Sequence, residues 1–517
     1  LSTPMLSTIA DPVGALWLQT HIQAPLIAPL YATSSIGSRR VRTTNAEGMQ
    51  HTVYPESMRP ASTIAAHVQF HLRHEIPHLE LLESVFTRLG GTWVQEWINQ
   101  EPTGQYARRT AFLYEWLTGE TLDLPVTLSG NYVAALPADK LVVSDSPMKN
   151  TRWRINNNIA GSPHFAPMVV KTTAYQDAVG IDIPALLAEL DQTFGLDLTL
   201  RSAVWLTLRE SKASFSMEGE GQHASRIQRF AQVIADYTGT GHLPLHDAEL
   251  AQLQQHILGP RHIIKKLGLR TSPVFVGHVE QRGYQEIVHY IAPPAEFLAD
   301  KLQGLAYFLQ STQDQASVMR AAVLAFGFVY IHPLADGNGR VHRFLINDML
   351  RRDGVVHAPL ILPISHAIAT SSLERAHYDQ LLDKVSKPLM QKLAGVYGFT
   401  NRITTYSDGI RSNLELQTDQ DVWRFLDLTP HVAYLSRLAQ HVIAYDMRSE
   451  AQYLQRHYAM RAAIKEVVEM PDADVDRVIR SVQQEAGILS HKLLKELPVL
   501  GEDGVWAAVV EAVNSFH

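Results

Sequence analysis

The segment from Ile331 to Phe344, IHPLADGNGRVHRF, constrains the fold of this chain more than any other feature. It follows the apolar run Ser317–Ile331, whose composition predicts a buried helix. Pro333 cannot continue that helix, and the two glycines that follow permit a turn with positive φ. A second helix is predicted to begin near Arg340. The sequence therefore predicts two helices joined by a tight loop.

This loop concentrates groups that bind anions. A helix N-terminus beside a glycine loop presents free N–H groups to a ligand. Arg340 and Arg343 share one face of the first helical turn, where a cation opposes the helix dipole unless it meets an anion. Asp336 is able to hold Mg²⁺, and His332 is able to accept a proton from a hydroxyl group. Phosphoryl or nucleotidyl transfer is the chemistry that this set favours.

A purely structural corner is the alternative interpretation of the loop. His332 would then cap the first helix, Asp336 to Gly339 would form a turn, and the arginines would face solvent. The agreement of His, Asp, Asn and two spaced arginines favours the anion site over this corner. A Walker A sequence is absent, so a P-loop site is excluded.

Composition narrows the function classes. The formal net charge is −7 and the pI is near 6.4, so no broad cationic field exists for nucleic acid. The chain has no cysteine, which excludes disulfides and thiolate metal sites. We find no signal-peptide pattern and no run of about 18 apolar residues. A cytoplasmic protein that does not enter membranes is expected.

The pattern along the chain is mainly α. The first sixty residues are rich in Pro, Ser and Thr and predict extended or loop structure, whereas helical spacing begins at Thr63. Short strands are expected within 123–173, and a nearly all-helical tail from about Thr400. We divide the chain into a mixed N-terminal region (1–190), a core (191–400) and a C-terminal helical region (401–517).

Two β-prone runs, Val274–Val279 and Glu286–Ile291, flank Gln281-Arg282-Gly283 and predict a hairpin. Pro293-Pro294 ends it.

The twelve residues from His332 to Arg343, HPLADGNGRVHR, resemble the signature of the Fic family, HPFx[DE]GNGRxxR. They differ at Leu334, where the family has Phe, and an apolar plug is retained. The resemblance implies a Fic-type helical core with a β-hairpin flap, and transfer of AMP from ATP to a hydroxyl of a target protein. The implied roles are a general base at His332, an Mg²⁺ ligand at Asp336, an anion hole at Gly337, Asn338 and Gly339, and phosphate ligands at Arg340 (β) and Arg343 (γ).

The predicted hairpin resembles the family's flap. In that likeness Val274, Val276 and Gly277 would dock a segment of the target by strand addition. The sequence does not name the target, and the protein itself is one candidate. A homodimer is compatible with the sequence.

The stretch Ser214 to Glu220, SFSMEGE, has two interpretations. From spacing alone, a loop is favoured in which Ser214 caps a helix and Glu218 is exposed. Ser214, Glu218 and Gly219 also match the Fic inhibitory motif [ST]xxxE[GN]. That likeness implies that Glu218 pairs with Arg343 and so prevents the γ-phosphate from binding there.

Two weaker features were weighed against ordinary structure. His67, His71, His74 and His78 fit a partly exposed polar face better than a zinc site, because no HExxH spacing is present. The C-terminal tail could form a winged helix, but its acids outnumber its bases. Docking or oligomerisation is therefore favoured there over DNA binding.

The sequence as a whole favours an autoinhibited, Mg²⁺-dependent protein adenylyltransferase. Two alternatives stay open. One is a related reaction, such as removal of AMP or transfer from another donor. The other is a non-catalytic ATP-binding regulator.

Overall fold

The computed structural model describes residues 11–279, 286–418, 421–485 and 487–516. The chain forms two compact units. The first comprises 1–181, 211–356 and 364–438, and the second comprises 182–210, 357–363 and 439–517. In the described ranges, no helix is both long enough and apolar enough to cross a bilayer. The predicted region boundaries at 190 and 400 stay predictions.

Helices make up most of the described chain, as predicted. Up to the hairpin they are α1 (Ala15–Ile22), α2 (Ile64–His74), α3 (Leu79–Leu89), α4 (Thr92–Gln100), α5 (Gln105–Thr118), α6 (Thr173–Val179), α7 (Ile183–Phe194), α8 (Leu196–Met217), α9 (Ala224–Tyr237) and α10 (Asp247–Leu258). After it come α11 (Leu298–Ser311), α12 (Ser317–Ile331), α13 (Asn338–Arg352), α14 (Ile364–Thr370), α15 (Ser372–Lys392), α16 (Thr429–His441), α17 (Arg448–Val467), α18 (Asp472–Gln484), α19 (His491–Glu496) and α20 (Val505–Asn514).

The strands form small sheets. They are β1 (Pro12–Val13), β2 (Ala32–Gly37), β3 (Val41–Thr44), β4 (Gln50–Pro55), β5 (Val133–Ala134), β6 (Met148–Asn150), β7 (Ile155–Asn157), β8 (Phe275–Val279), β9 (Glu286–Ile291), β10 (Tyr397–Thr405) and β11 (Arg411–Leu416). The sheet orders are β1-β2-β4-β3, β5-β7-β6, β8-β9 and β10-β11. β2 and β4 pair in parallel, whereas β8 with β9 and β10 with β11 pair as antiparallel hairpins.

Two secondary-structure predictions were wrong. The first sixty residues are not merely extended or loop, because α1 lies within them and β1 to β4 pair into a sheet. The tail is not all helical after Thr400, since β10 and β11 occupy its start. The run YGFTNRITT is rich in β-branched and aromatic residues, and Asp408-Gly409 supplies a turn, so the local sequence itself favours this hairpin.

α12 and α13 form the centre of the first unit. Nearly every α12 residue is buried, including Met319, Leu324 and Phe328, because the helix is apolar on all its faces. Each buried large apolar side chain contributes about 1.5–3 kcal/mol by leaving water. Replacing Phe326 by alanine would cost about 3–5 kcal/mol through the cavity it leaves. This rigid pair of helices fixes the loop between them.

The histidines of α2 are not a partly exposed face, and that interpretation was wrong. His67 and His71 are buried. Nδ1 of His67 accepts a hydrogen bond from the backbone N–H of Gly14 (3.1 Å), and Nδ1 of His71 lies 2.8 Å from the Glu75 carboxylate. His67 therefore joins α2 to the start of α1 directly, and His71 does so through Glu75, which accepts from Ala15 N–H (2.8 Å).

The second unit has its own apolar core. Helices α17, α18, α19 and α20 enclose it with side chains that include Ile464, Val478, Leu493 and Val509. α18 is strongly amphipathic, with Val475, Val478, Ile479 and Val482 on its buried face. The acids of this helix pair with nearby bases, as Asp476 does with Arg461.

Candidate active site

His332 occupies the position immediately after α12. Its N–H still bonds to Phe328 O (2.9 Å), but its own backbone is left-handed, with φ 50° and ψ 55°. This conformation turns the chain out of the helix at Pro333. Nδ1 of the ring donates to the carbonyl of Val329 (3.1 Å), so the neutral tautomer keeps a free lone pair on Nε2.

The imidazole is held neutral. The pKa of His332 is lowered to about 4, mainly by burial and further by the charge of Arg270, while the hydrogen bond to the Val329 carbonyl opposes both effects. The ring is therefore unprotonated at physiological pH. A neutral imidazole with a free nitrogen can act as a general base.

The loop after His332 is fastened by side chains. Asn338 accepts from Leu334 N–H through Oδ1 (2.9 Å) and donates to Leu334 O through Nδ2 (2.7 Å). Gln254, on α10, donates to Asp336 O (2.8 Å) and accepts from Gly268 N–H (2.9 Å). Because both ends of the Asn338 side chain are used here, it can serve an anion site through its backbone rather than its amide.

α13 begins at Asn338, two residues before the predicted start. Gly337 is its N-cap, with φ 92°, and no side chain caps the helix. The first bond within the helix runs from Val341 N–H to Gly337 O (2.9 Å), so the N–H groups of the three residues before Val341 have no partner inside the helix. Such N–H groups suit an anionic ligand, and the anion hole at this position stays a prediction.

Arg340 and Arg343 project from the same face of α13, as predicted. Their side chains are only 4% and 5% exposed, and both meet the carboxylate of Glu218. Arg343 donates to Glu218 Oε1 (2.6 Å), and Nε of Arg340 lies 2.9 Å from Oε2. The Arg340 contact is an ion pair only, because that buried N–H makes no hydrogen bond. A carboxylate thus occupies the position where an anionic ligand would meet both guanidinium groups.

The end of α8 presents Glu218. The helix ends at Met217, and Gly219 (φ 76°) with the bond from Glu220 N–H to Phe215 O (2.9 Å) completes the cap. Ser214 does not cap a helix here. Instead its hydroxyl accepts from Arg343 Nε (2.7 Å) and its carbonyl from Arg343 Nη2 (3.0 Å). Phe215 lies under the Arg340 guanidinium, 5.0 Å from it.

Gly339 explains how closely Glu218 approaches α13. A Cβ built on Gly339 would lie 2.5 Å from Glu218 Oε1 and 3.1 Å from Arg343 Nη1. Only a residue without a side chain allows the carboxylate to rest against the first turn. The alternative in which Glu218 is a solvated acid and the arginines face water is therefore wrong.

Asp336 fits a magnesium ligand. Its side chain is 54% exposed, and Oδ1 meets Arg340 Nη2 at 3.1 Å. Among the residues that the structure describes, no three His, Cys, Asp or Glu side chains converge on a possible ion site. A divalent cation would therefore be shared between this carboxylate and the oxygens of a ligand, which is how Mg²⁺ usually binds nucleotides.

The predicted hairpin is confirmed as an antiparallel pair, β8 with β9. Val276 is 44% exposed, and Val274 closes the base of the hairpin by accepting from Ala292 N–H (3.0 Å). A Cβ on Gly277 would lie 2.3 Å from Ile287 O, so glycine is needed for the close approach of the strands. The predicted turn at Gln281-Arg282-Gly283 lies outside the described residues.

Three residues near the loop have contacts that the sequence does not predict. Arg270 donates to His332 O (2.8 Å), Asp408 binds the segment before β8, and His342 is fully buried. The ring of His342 packs inside the unit, where Nδ1 donates to Ala325 O (2.7 Å). These contacts join residues far apart in sequence, and only the Asp408-Gly409 turn left a local signal.

The comparisons agree with this geometry. Residues 244–350 match the model of the Fic/DOC family, a range that holds the flap hairpin, His332 and both arginines. Residues 244–350 are thus similar to the Fic/DOC family.

The similar proteins carry an activity in their names. "Protein adenylyltransferase fic-1" of Caenorhabditis briggsae is 25% identical over 163 residues, which is 31% of this chain and 30% of the relative. "Protein adenylyltransferase Fic" of Drosophila mojavensis is 32% identical over 117 residues, 22% of this chain and 21% of the relative. The chain therefore spans less than a third of the length of either relative. A Fic family crystal structure from Desulfovibrio desulfuricans G20 aligns at 18% identity over 66% of this chain and 92% of its own, with a TM-score of 0.36.

Proposed function

We propose that this chain is an autoinhibited protein adenylyltransferase, which transfers AMP from ATP to a hydroxyl group of a target protein. The single observation that carries the proposal is the Glu218 carboxylate, held by Arg340 and Arg343 at the N-terminus of α13. It marks a built anion site beside a neutral imidazole. The names of the relatives support adenylyl transfer as the reaction.

His332 would supply the base. The target hydroxyl oxygen forms a bond to the α-phosphorus of ATP, and the bond from that phosphorus to the β-bridging oxygen breaks. Pyrophosphate leaves, and the hydroxyl proton passes to Nε2 of His332, whose other nitrogen is fixed on Val329 O. A positioned base of this kind contributes about 10²- to 10⁴-fold to the rate.

The first turn of α13 would hold the phosphates. The free N–H groups after Gly337 suit the α- and β-phosphates, Arg340 the β-phosphate and Arg343 the γ-phosphate. Mg²⁺, when bound, would neutralise the charge that develops on the phosphate oxygens. Asp336 is the side chain that would hold it.

Glu218 would be the brake. While its carboxylate pairs with Arg343, that guanidinium is unavailable to a γ-phosphate, and ATP cannot take a productive position. Each charge-assisted contact contributes about 1.5–3 kcal/mol, which the incoming phosphate must replace. Ser214 reinforces the brake because it also accepts from Arg343.

The remaining parts of the proposal concern the partner. Val276 and Gly277 on β8 suit strand addition by a target segment, since among the described residues β8 pairs with β9 alone. The target is a protein of unknown identity, and this chain is one candidate. The cytoplasm is the proposed place of action.

Glu218→Gly tests the brake. The purified variant and the wild type are incubated with α-labelled ATP, Mg²⁺ and cell lysate, and label in protein is measured. We expect the variant to incorporate at least about 10-fold more AMP, because one charge-assisted contact corresponds to about tenfold or more. Glu220→Gly is the matched control, since Glu220 pairs with Arg226 and touches neither site arginine. Unchanged labelling in a variant that still binds ATP would refute the brake.

His332→Ala in the released variant separates the alternatives. An adenylyltransferase loses all labelling and keeps its ATP affinity. A non-catalytic regulator would instead keep its effect in cells. Mass spectrometry of the labelled protein distinguishes AMP addition from transfer of another group, and loss of AMP from a modified target would indicate the reverse reaction.

A further inference from the structure

Arg270 is a buried cation whose function the reaction above does not explain. The residue is 2% exposed, and none of the ion pairs among the described residues includes it. Its guanidinium donates instead to three backbone carbonyls, those of His332 (2.8 Å), Ser272 (2.7 Å) and Pro293 (2.6 Å). Burial lowers the pKa of Arg270 to about 10, so it still carries its charge at neutral pH.

Those three carbonyls belong to His332 and to the two ends of the β8–β9 hairpin. Ser272 lies just before β8, and Pro293 lies just after β9, so Arg270 joins the two ends of the flap hairpin. Its Nε bond reaches the backbone of His332, and its own N–H donates to Pro333 O (2.9 Å). One side chain thus connects the hairpin proposed to dock the target with the residue proposed to deprotonate it.

Asp408 holds this connecting segment from the other side. It is fully buried at the turn between β10 and β11, and its Oδ2 accepts from Thr271 N–H (2.8 Å), Ser272 N–H (2.9 Å) and the Ser272 hydroxyl (2.8 Å). Burial alone would raise the pKa of Asp408, but hydrogen bonds from Ile410 and from Ser272 and Thr271 leave it lowered. The two residues that follow Arg270 are therefore held by a buried carboxylate.

We propose that Arg270 is a positioning residue for adenylyl transfer, which holds His332 and both ends of the β8–β9 hairpin as one unit and places a fixed positive charge beside the imidazole. The proposal rests on the proposed function. Asp408 completes the arrangement by fixing the segment that carries Arg270.

The groups around His332 show how the charge of Arg270 affects the pKa of the imidazole. The ring bonds to the Val329 carbonyl of α12, which raises its pKa, and the charge of Arg270, whose Nε donates to the His332 carbonyl, lowers it. On β9, Tyr290 donates its hydroxyl to Tyr330 O and is uncharged, because burial raises its pKa. Removing the Arg270 charge should therefore raise the pKa of His332, which makes the base easier to protonate.

The first experiment measures this directly, without catalysis. Histidine is ¹³C-labelled in the full chain, and the His332 signal is assigned by its loss in His332→Ala. In the parent, with a His332 pKa of about 4, the signal should move only slightly between pH 7 and pH 5. In Arg270→Gln the pKa of His332 should rise, so that a larger part of the titration falls within this range. A signal that titrates in Arg270→Gln as it does in the parent would overturn the electrostatic part of the proposal.

The second experiment measures transfer in the Glu218→Gly background. Arg270→Gln should lower AMP incorporation at neutral pH by about 10-fold or more and leave ATP affinity within about twofold. The acid limb of the plot of rate against pH should move to higher pH. Arg108→Gln is the matched control, because Arg108 is equally buried and also donates to three carbonyls, those of Trp153, Arg154 and Asn131. A loss no larger than that of the control, with an unmoved acid limb, would assign Arg270 a structural role only.

Arg270→Lys covers the case in which the glutamine variant does not fold. Lysine keeps the charge but cannot reach three carbonyls, so the His332 pKa should stay low while transfer falls. Lysine that restores full transfer would overturn the positioning role. If the Glu218→Gly parent shows no transfer at all, the proposed function fails, whereas the imidazole titration still decides the role of Arg270.

Discussion

Arg343 and Arg270 are both buried guanidinium groups near the same loop, but they bind different partners. Arg343 meets a carboxylate and a serine at the end of α8, whereas Arg270 meets only backbone carbonyls. A phosphate can replace a carboxylate, because both are anions with oxygens spaced for a guanidinium fork. A phosphate cannot replace the backbone carbonyls that Arg270 binds, because they are part of the fold. The contacts of Arg343 can therefore be exchanged for a ligand, whereas those of Arg270 cannot.

The largest loss of AMP transfer is expected from a substitution of Arg343. Arg343→Gln in the Glu218→Gly background should lower transfer by about 100-fold, because the γ-phosphate loses its charged partner. The measurement is initial AMP incorporation against ATP concentration. Arg226→Gln is the control, since Arg226 lies on an exposed pair with Glu220. Equal rates in the two variants would remove Arg343 from the phosphate site.

Substitutions among the contacts of Arg270 and Asp408 should change the stability of the protein rather than its affinity for ATP. Asp408→Asn weakens four hydrogen bonds to a charged acceptor and should cost on the order of 1.5–3 kcal/mol. We expect faster amide hydrogen exchange at Thr271 and Ser272 and a lower melting temperature, with ATP affinity unchanged. Asp383→Asn, which removes an exposed partner of Lys387, should change neither measurement. Unaltered exchange at the hairpin base would mean that Asp408 does not anchor it.

Ser214 offers a finer test of the same contrast. Ser214→Ala removes one neutral acceptor from Arg343 and leaves Glu218 in place, so basal transfer should rise only about 2- to 5-fold. Ser216→Ala is the control, because that hydroxyl bonds to Lys212 O within its own helix. A rise as large as that of Glu218→Gly would show that the serine, not the carboxylate, is the main restraint.

The contacts of Arg343 and those of Arg270 also differ in how well the sequence predicts them. Pro333, Gly337 and the spacing of Arg340 and Arg343 act locally, so the loop and the start of α13 could be predicted within a few residues. The pairing of Glu218 with Arg343 followed from the likeness to a family motif. The additional contact of Glu218 with Arg340 did not, although one carboxylate has oxygens for both.

Arg270 could not be predicted from the sequence. Its acceptor on His332 lies 62 residues away, and Asp408 lies 137 residues from Thr271. A backbone carbonyl is the same at every residue, so no sequence pattern records which one a guanidinium will reach. The burial of His67 escaped prediction for the same reason, because its partner is the backbone of Gly14.

The backbone of His332 has a consequence for stability. A left-handed conformation costs a residue with a side chain about 1–2 kcal/mol, and glycine adopts it freely. His332→Gly should therefore melt at a higher temperature than His332→Ala, although neither has a base. Glycine would fit the left-handed backbone at this position better than histidine does. The chain thus keeps a locally disfavoured geometry at the residue that we propose as the proton acceptor, a position where stability would be given up for reactivity.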